Sequence, residues 1–300
     1  MTTTTPSLSH HTALPVILDD MRARQQTRIA ALAQLGGERM TAACVWAAQD
    51  VDVRFMLLRV GDHEEEHMLH LVKTLGWIGH QPTETHQLLG AAQAARGDLL
   101  GALIGLDDDD IDRVPTDPEG EWSLRTTLSH VLQVERSYRL AVETDLALHR
   151  AGEPWHAHEM VTPESPVTSL ADTYQRLAAY RSATMQSLHA TQRAELTAHS
   201  VWFNVALSVR FRILRFAHHE REHAAHIRKW RRQVGLEEAE AQALLNLLAR
   251  ARGATEAVLV GVPDRVLDVD PGHGEWTVRQ ILQHIDDVQE RLTQRMLSAT

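Results

Sequence analysis

Apolar residues recur at helical spacing along almost all of the 300-residue chain. The pattern predicts eight helices, near 13–34, 40–77, 84–106, 122–150, 168–193, 204–232, 237–262 and 276–297. Gly61 and Asp62 interrupt the second, where a break and a fresh N-cap are open. Acidic or proline-rich stretches separate the others: Asp107 to Asp110, Pro115 to Gly120, Gly152 to Pro166 and Pro263 to Gly274. Ser123 and Thr277, each directly after a tryptophan, fit helix N-caps. No segment shows a convincing strand pattern, so the expected class is all-α.

The pattern repeats at an offset of 156 residues, the separation of His63 and His219. Trp46 falls on Trp202, Val53-Arg54-Phe55 on Val209-Arg210-Phe211, Arg59 on Arg215 and Lys73 on Lys229. Downstream, Arg96-Gly97 falls on Arg252-Gly253, and after a two-residue slip Gly120-Glu121-Trp122 falls on Gly274-Glu275-Trp276. The repeat is out of phase with the termini. Residues 82–237 hold four consecutive helices, whereas the second set is split into 237–297 and 13–77. A four-helix bundle buries its core only when all four apolar faces meet. Two bundles are therefore expected: a continuous one over 82–237, and a circularly permuted one built from 13–81 and 238–300. The latter closes within one chain or by a swap between two. Residues 1–12 read as a flexible lead-in.

Two copies of His-Glu-x-x-His lie in register in this repeat, His63-Glu64-Glu65-Glu66-His67 and His219-Glu220-Arg221-Glu222-His223. On a helix, residues four apart share a face, so each pair aims two imidazoles at one point. With 19 histidines in the chain, chance alone supplies about one such pair. Two pairs in matching contexts point to metal sites. The repeat also aligns His130 with His284, each on the edge of an apolar helical stripe, as candidates for a third ligand. The sets are then His130, His219, His223 and His63, His67, His284. His70 and His226, three residues past the second histidine of each pair, are accessory candidates. Glu64 and Glu220 are candidates for a general base, or for a carboxylate orienting the ligands. In a zinc hydrolase a third ligand follows downstream, where Glu84 and Glu240 match in the repeat. His218 and His10-His11 lack repeat partners and read as surface residues, and His156 and His158 as surface or lid residues.

Composition narrows the rest. The formal charge is −10 and arginines alternate with acids, which argues against nucleic-acid partners. No apolar run approaches the ~20 residues that span a membrane, and the first residues do not read as a signal peptide. One cysteine, Cys44, precludes an internal disulfide and an all-thiolate zinc site, and fits a cytoplasmic protein.

A Trp and small polar residue opening a helix that leads to His130 or His284, together with a last helix carrying His-Glu-x-x-His, resembles the DinB-like family of four-helix metal-binding proteins. Both elements occur twice, so the resemblance covers nearly the whole chain. It implies a three-histidine site for zinc, nickel, iron or manganese with an open position, carried by the six histidines named above. Where the family often has Gln, this chain has His70 and His226. Some similar proteins are thiol S-transferases using mycothiol, bacillithiol or glutathione. That implies a transferase acting on a small-molecule substrate, either a monomer behaving as a pseudo-dimer or a homodimer. A non-catalytic metal-binding or stress-response protein, and a His-Glu-x-x-His zinc hydrolase, are the alternatives.

Overall fold

A computed structural model describes residues 12–116, 120–158 and 161–299. Apart from Thr12, the expected N-terminal lead-in lies outside these residues, as do His10 and His11. The helices are α1 (Leu14–Leu32), α2 (Val53–Trp77), α3 (Glu84–Ala102), α4 (Leu124–Ala151), α5 (Leu170–Leu188), α6 (Val209–Gln233), α7 (Glu240–Val258) and α8 (Val278–Ser298). The protein is all-α in class, with two small hairpins. No described helix is long and apolar enough to cross a membrane.

The chain divides into two compact units. The central unit runs from Pro82 to Glu237. The composite unit joins the chain up to Gln81 with the chain from Glu238 onward. In the central unit α3 packs along α6, and α4 packs on both α5 and α6. Its core includes Leu99, Leu103, Leu128, Val131, Leu177 and Ile227. In the composite unit α2 packs along α7 and α8, while α1 packs on α7 and α8. Here Leu14, Ile17 and Met21 from the first helix meet Val278, Ile281 and Ile285 from the last. Each such buried side chain contributes roughly 1.5–3 kcal/mol, so pairing the two ends of the chain is what gives these helices a core. Polar contacts reinforce the junction: the Leu14 backbone N–H donates to Asp264 at 2.8 Å, and Arg279 donates to the Thr12 carbonyl at 2.9 Å.

Local chemistry sets the helix starts. Ser123 accepts from the Thr126 N–H to open α4, and Thr277 forms a capping box with Gln280 to open α8. At Gly61 and Asp62 there is no break, and α2 is continuous. Gly61 packs against the Leu248 backbone, with room at 3.6 Å for a methyl group; the matching residue, Ala217, carries one and is fully buried.

The expected helix over 40–77 and the expectation of no strand need correction. β1 (Ala43–Trp46) pairs antiparallel with β2 (Gln49–Asp52), and β3 (His199–Trp202) with β4 (Val205–Ser208). Each strand has four residues, too few to show a period of two against helical neighbours. Each turn has two residues of positive φ, Ala47 and Ala48 at 48° and 62°, Phe203 and Asn204 at 47° and 61°. Such turns usually announce themselves with Asn-Gly, and these do not. Holding alanine in the left-handed region costs about 1–2 kcal/mol. Ala48→Gly is therefore expected to stabilise the composite unit by about 1 kcal/mol in urea denaturation, and unchanged or lower stability would contradict the strain argument.

Candidate metal centres

Each unit brings three imidazoles to one point, and the ligand-capable atoms of each trio lie within 4.8 Å of one another. In the central unit His219 Nε2 is 3.1 Å from His130 Nε2 and 3.0 Å from His223 Nε2. In the composite unit His63 Nε2 is 3.1 Å from His284 Nε2, and the His67 ring lies 4.4 Å from His63 and 4.7 Å from His284, centroid to centroid. α6 and α2 supply a pair each through i, i+4 spacing, and α4 and α8 supply the third imidazole.

The spacing fits a metal. With metal–nitrogen bonds of about 2.0–2.1 Å, nitrogens about 90–110° apart at the ion are separated by about 2.9–3.4 Å. Protonation works against such a cluster. Burial, followed by the fields of neighbouring imidazoles, pushes His219 and His63 down to about 3 and His223 and His67 down to about 4. Burial also lowers His130 and His284. At neutral pH the trios therefore present lone pairs and no charge, the form a metal requires.

The surroundings differ between units. The His226 Nδ1 lies 3.3 Å from His223 Nδ1, where it can accept that ring's proton and leave the His223 Nε2 lone pair facing the trio. In the composite unit His70 instead sits 3.2 Å from Glu275, and His67 Nδ1 is buried without a hydrogen-bond partner. Trp122 stacks parallel to His223 at 6.5 Å, and Trp276 parallel to His67 at 5.8 Å, walling one side of each trio. The central trio opens into a cleft of about 1030 Å³ that also exposes Tyr138, Trp202, Phe203 and Arg215.

Glu220 and Glu64 lie beside the histidines but are already engaged. In the central unit Arg96 and Arg181 donate to Glu220 at 2.8 and 2.9 Å, and both also bind Glu135. Thus α3, α4, α5 and α6 contribute one side chain each to a cluster of two arginines and two carboxylates, all at least 96% buried. Burial opposes ionisation of Glu135, yet Arg181 and Arg96 outweigh it and hold its carboxyl below the usual range. In the composite unit Arg252 binds Glu64 at 2.8 Å, and Gln289 donates to the same carboxylate. Gln289 and buried Gln25 stand at the repeat positions of Glu135 and Arg181, so one buried charge of each sign is absent and neutrality is kept. The repeat displayed Arg96 and Arg252, but an arginine on an apolar stripe reads as an interruption until its partners are known.

Other expected residues fall outside the trios. Glu84 and Glu240 form ion pairs with Arg210 and Arg54. His218 is exposed. His158 Nε2 lies 2.7 Å from buried Asp145, tying its loop to α4.

Each unit is a helical bundle that gathers three histidines able to hold a metal ion. A family model described as Mycothiol-S-transferase matches residues 87–235, inside the central unit. A model of the DinB superfamily matches residues 247–300, which form α7 and α8 of the composite unit. Together these matches cover more than half of the chain, and the chain belongs to the DinB-like family. No curated protein and no solved structure matches it.

Two outcomes are expected from this geometry. Removing one charge from the buried cluster strands its partner, so Glu135→Gln or Arg181→Gln alone should cost about 3–5 kcal/mol in denaturant unfolding. The double variant copies the composite unit and should recover most of that loss, and additive losses would refute the coupling. Imidazoles that titrate near 6.5 when unfolded but near 3 to 4 when folded favour the folded state only while neutral. The metal-free protein should therefore keep full stability above about pH 6.5 and lose it progressively as pH falls toward 3 to 4. A flat acid titration by circular dichroism over that window would contradict this.

Proposed function

We propose that this protein is a divalent-metal-dependent thiol S-transferase for a small electrophilic substrate, with the central cleft as its working site. The observation that carries the proposal is the convergence of three imidazoles at the wall of an open cleft of about 1030 Å³, with His219 Nε2 3.1 Å from His130 Nε2 and 3.0 Å from His223 Nε2. The Mycothiol-S-transferase match over the same unit supports the choice of reaction. His130, His219 and His223 would hold the ion, and a divalent ion there supplies the Lewis acidity that turns a thiol into a thiolate near neutral pH.

The chain's own residues do the rest. His226 keeps the proton of His223 on Nδ1 and so keeps Nε2 available. Trp122 and Tyr138 limit water around the trio, since Trp122 stacks on His223 and Tyr138 meets His219 edge-on at 5.9 Å. Glu220 does not suit the role of a hydrolase base, because Arg96 and Arg181 both donate to its carboxylate. Zinc, nickel, iron and manganese all accept imidazole, so the metal is to be read by analysis.

Metal analysis of the purified protein should return about two equivalents per chain, one for each trio. His219→Ala and His130→Ala are each expected to remove one equivalent, and His63→Ala the other. Metal content unchanged by all three would sink the assignment. Transfer assays with mycothiol, bacillithiol and glutathione and an electrophilic acceptor then test the reaction: His219→Ala should abolish turnover, and no turnover with any thiol would favour a non-catalytic metal-binding protein.

A further inference from the structure

The central cleft contains a cation whose counterpart in the composite unit is neutralised. On α6, Arg215, His219, His223 and His226 all line the cleft. Arg215 precedes His219 by one helical turn, roughly 6 Å along the axis. Its guanidinium lies 4.5 Å from the Trp202 ring centroid, and its Nε is buried without a hydrogen-bond partner. The nearest carboxylate, Glu222, stands 3.8 Å away on a half-exposed side chain. Lys229, also in the cleft, is held by Glu121.

The repeat supplies an internal control. Arg59 occupies the same position before His63 and approaches Trp46 in the same way, at 5.6 Å. There, however, Asp62 and Glu66 grip the guanidinium at 2.7 and 2.6 Å. Two changes make the difference: Asp62 stands where the central unit has His218, both exposed, and Glu222, the match of Glu66, stands farther from its arginine. Two close carboxylates satisfy Arg59, whereas Arg215 keeps donors for a ligand.

We propose that Arg215 is a specificity residue that binds a carboxylate of the ligand one turn from the three-histidine point, and that the composite unit lacks this capacity because Asp62 and Glu66 occupy Arg59. Trp202 and Phe203, the latter 81% exposed, offer apolar surface to the body of the same molecule. A guanidinium fork matches a carboxylate geometrically, and aromatic stacking fixes its plane. The proposal rests on reading the trio as the reaction centre, because a carboxylate one turn away leaves the ligand's other end at the imidazoles.

Calorimetry on the full-length zinc-loaded protein tests it, with 3-mercaptopropionate as the anionic probe and 2-mercaptoethanol as its neutral control. Arg215→Gln should weaken 3-mercaptopropionate on the order of tenfold to a hundredfold, the range of a charge-assisted hydrogen bond, and leave 2-mercaptoethanol nearly unchanged. Arg215→Lys should retain part of the difference between the probes. The exposed exchange His218→Asp should mimic Arg215→Gln without disturbing the core. Equal weakening of both probes, or no response to Arg215→Gln and His218→Asp, overturns the proposal. Zinc content on the same samples keeps the two ideas apart. Full zinc without Arg215 dependence overturns this inference alone, and Arg215-dependent binding without zinc overturns the metal reading alone.

Discussion

The buried cluster of Arg96, Glu135, Arg181 and Glu220 is the constraint around which the central unit is organised. Each of the four helices contributes one member. A buried carboxylate without its arginine would cost several kcal/mol, so the helices are fixed in the one register that lets all four groups meet. Glu220 follows His219 in sequence, and Glu135 lies on the same helix as His130. Fixing the carboxylates therefore also fixes the relative height of the imidazoles. Three imidazoles that are to share one ion need such a supporting shell to hold their spacing.

The composite unit shows which parts of this arrangement are indispensable. It keeps Arg252 and Glu64 and replaces the other pair with Gln289 and Gln25. A single Glu or Arg lost without its partner would leave a buried charge, so the two substitutions make sense only together. Elsewhere this unit places a new buried pair, with Arg28 donating to Asp286 at 2.8 Å and also to half-buried Glu290 at 2.9 Å between α1 and α8. These tie the first helix of the chain to the last, the one junction that the central unit makes through a continuous backbone.

Much of this was legible from the residues. Helical spacing located all eight helices to within a few residues apart from the starts of α2 and α6, and two His-Glu-x-x-His pairs with their aligned partners named the six histidines that the structure brings together in threes. The hairpins were not legible, because four-residue strands carry too little periodicity and Ala47-Ala48 and Phe203-Asn204 are poor advertisements for a left-handed turn. The charged cluster was not legible either. Arg96, Glu135, Arg181 and Glu220 are spread over 125 positions of sequence, and each alone resembles a surface charge. Partnership at that separation is a property of the closed bundle and leaves no local signal.

The cluster also changes what the Glu of His-Glu-x-x-His means. In a zinc hydrolase that carboxylate must face a water on the metal and exchange protons with it. Glu220 instead receives hydrogen bonds from two guanidiniums in a buried, charge-balanced cluster, and Glu64 receives them from Arg252 and Gln289. Both carboxylates thus turn toward side chains of neighbouring helices, and at Glu64 burial outweighs Arg252 and raises the carboxyl. The same five-residue spacing therefore serves two chemistries. Where the bundle closes an arginine onto the glutamate, the motif keeps its two imidazoles on one face and its carboxylate becomes part of the scaffold.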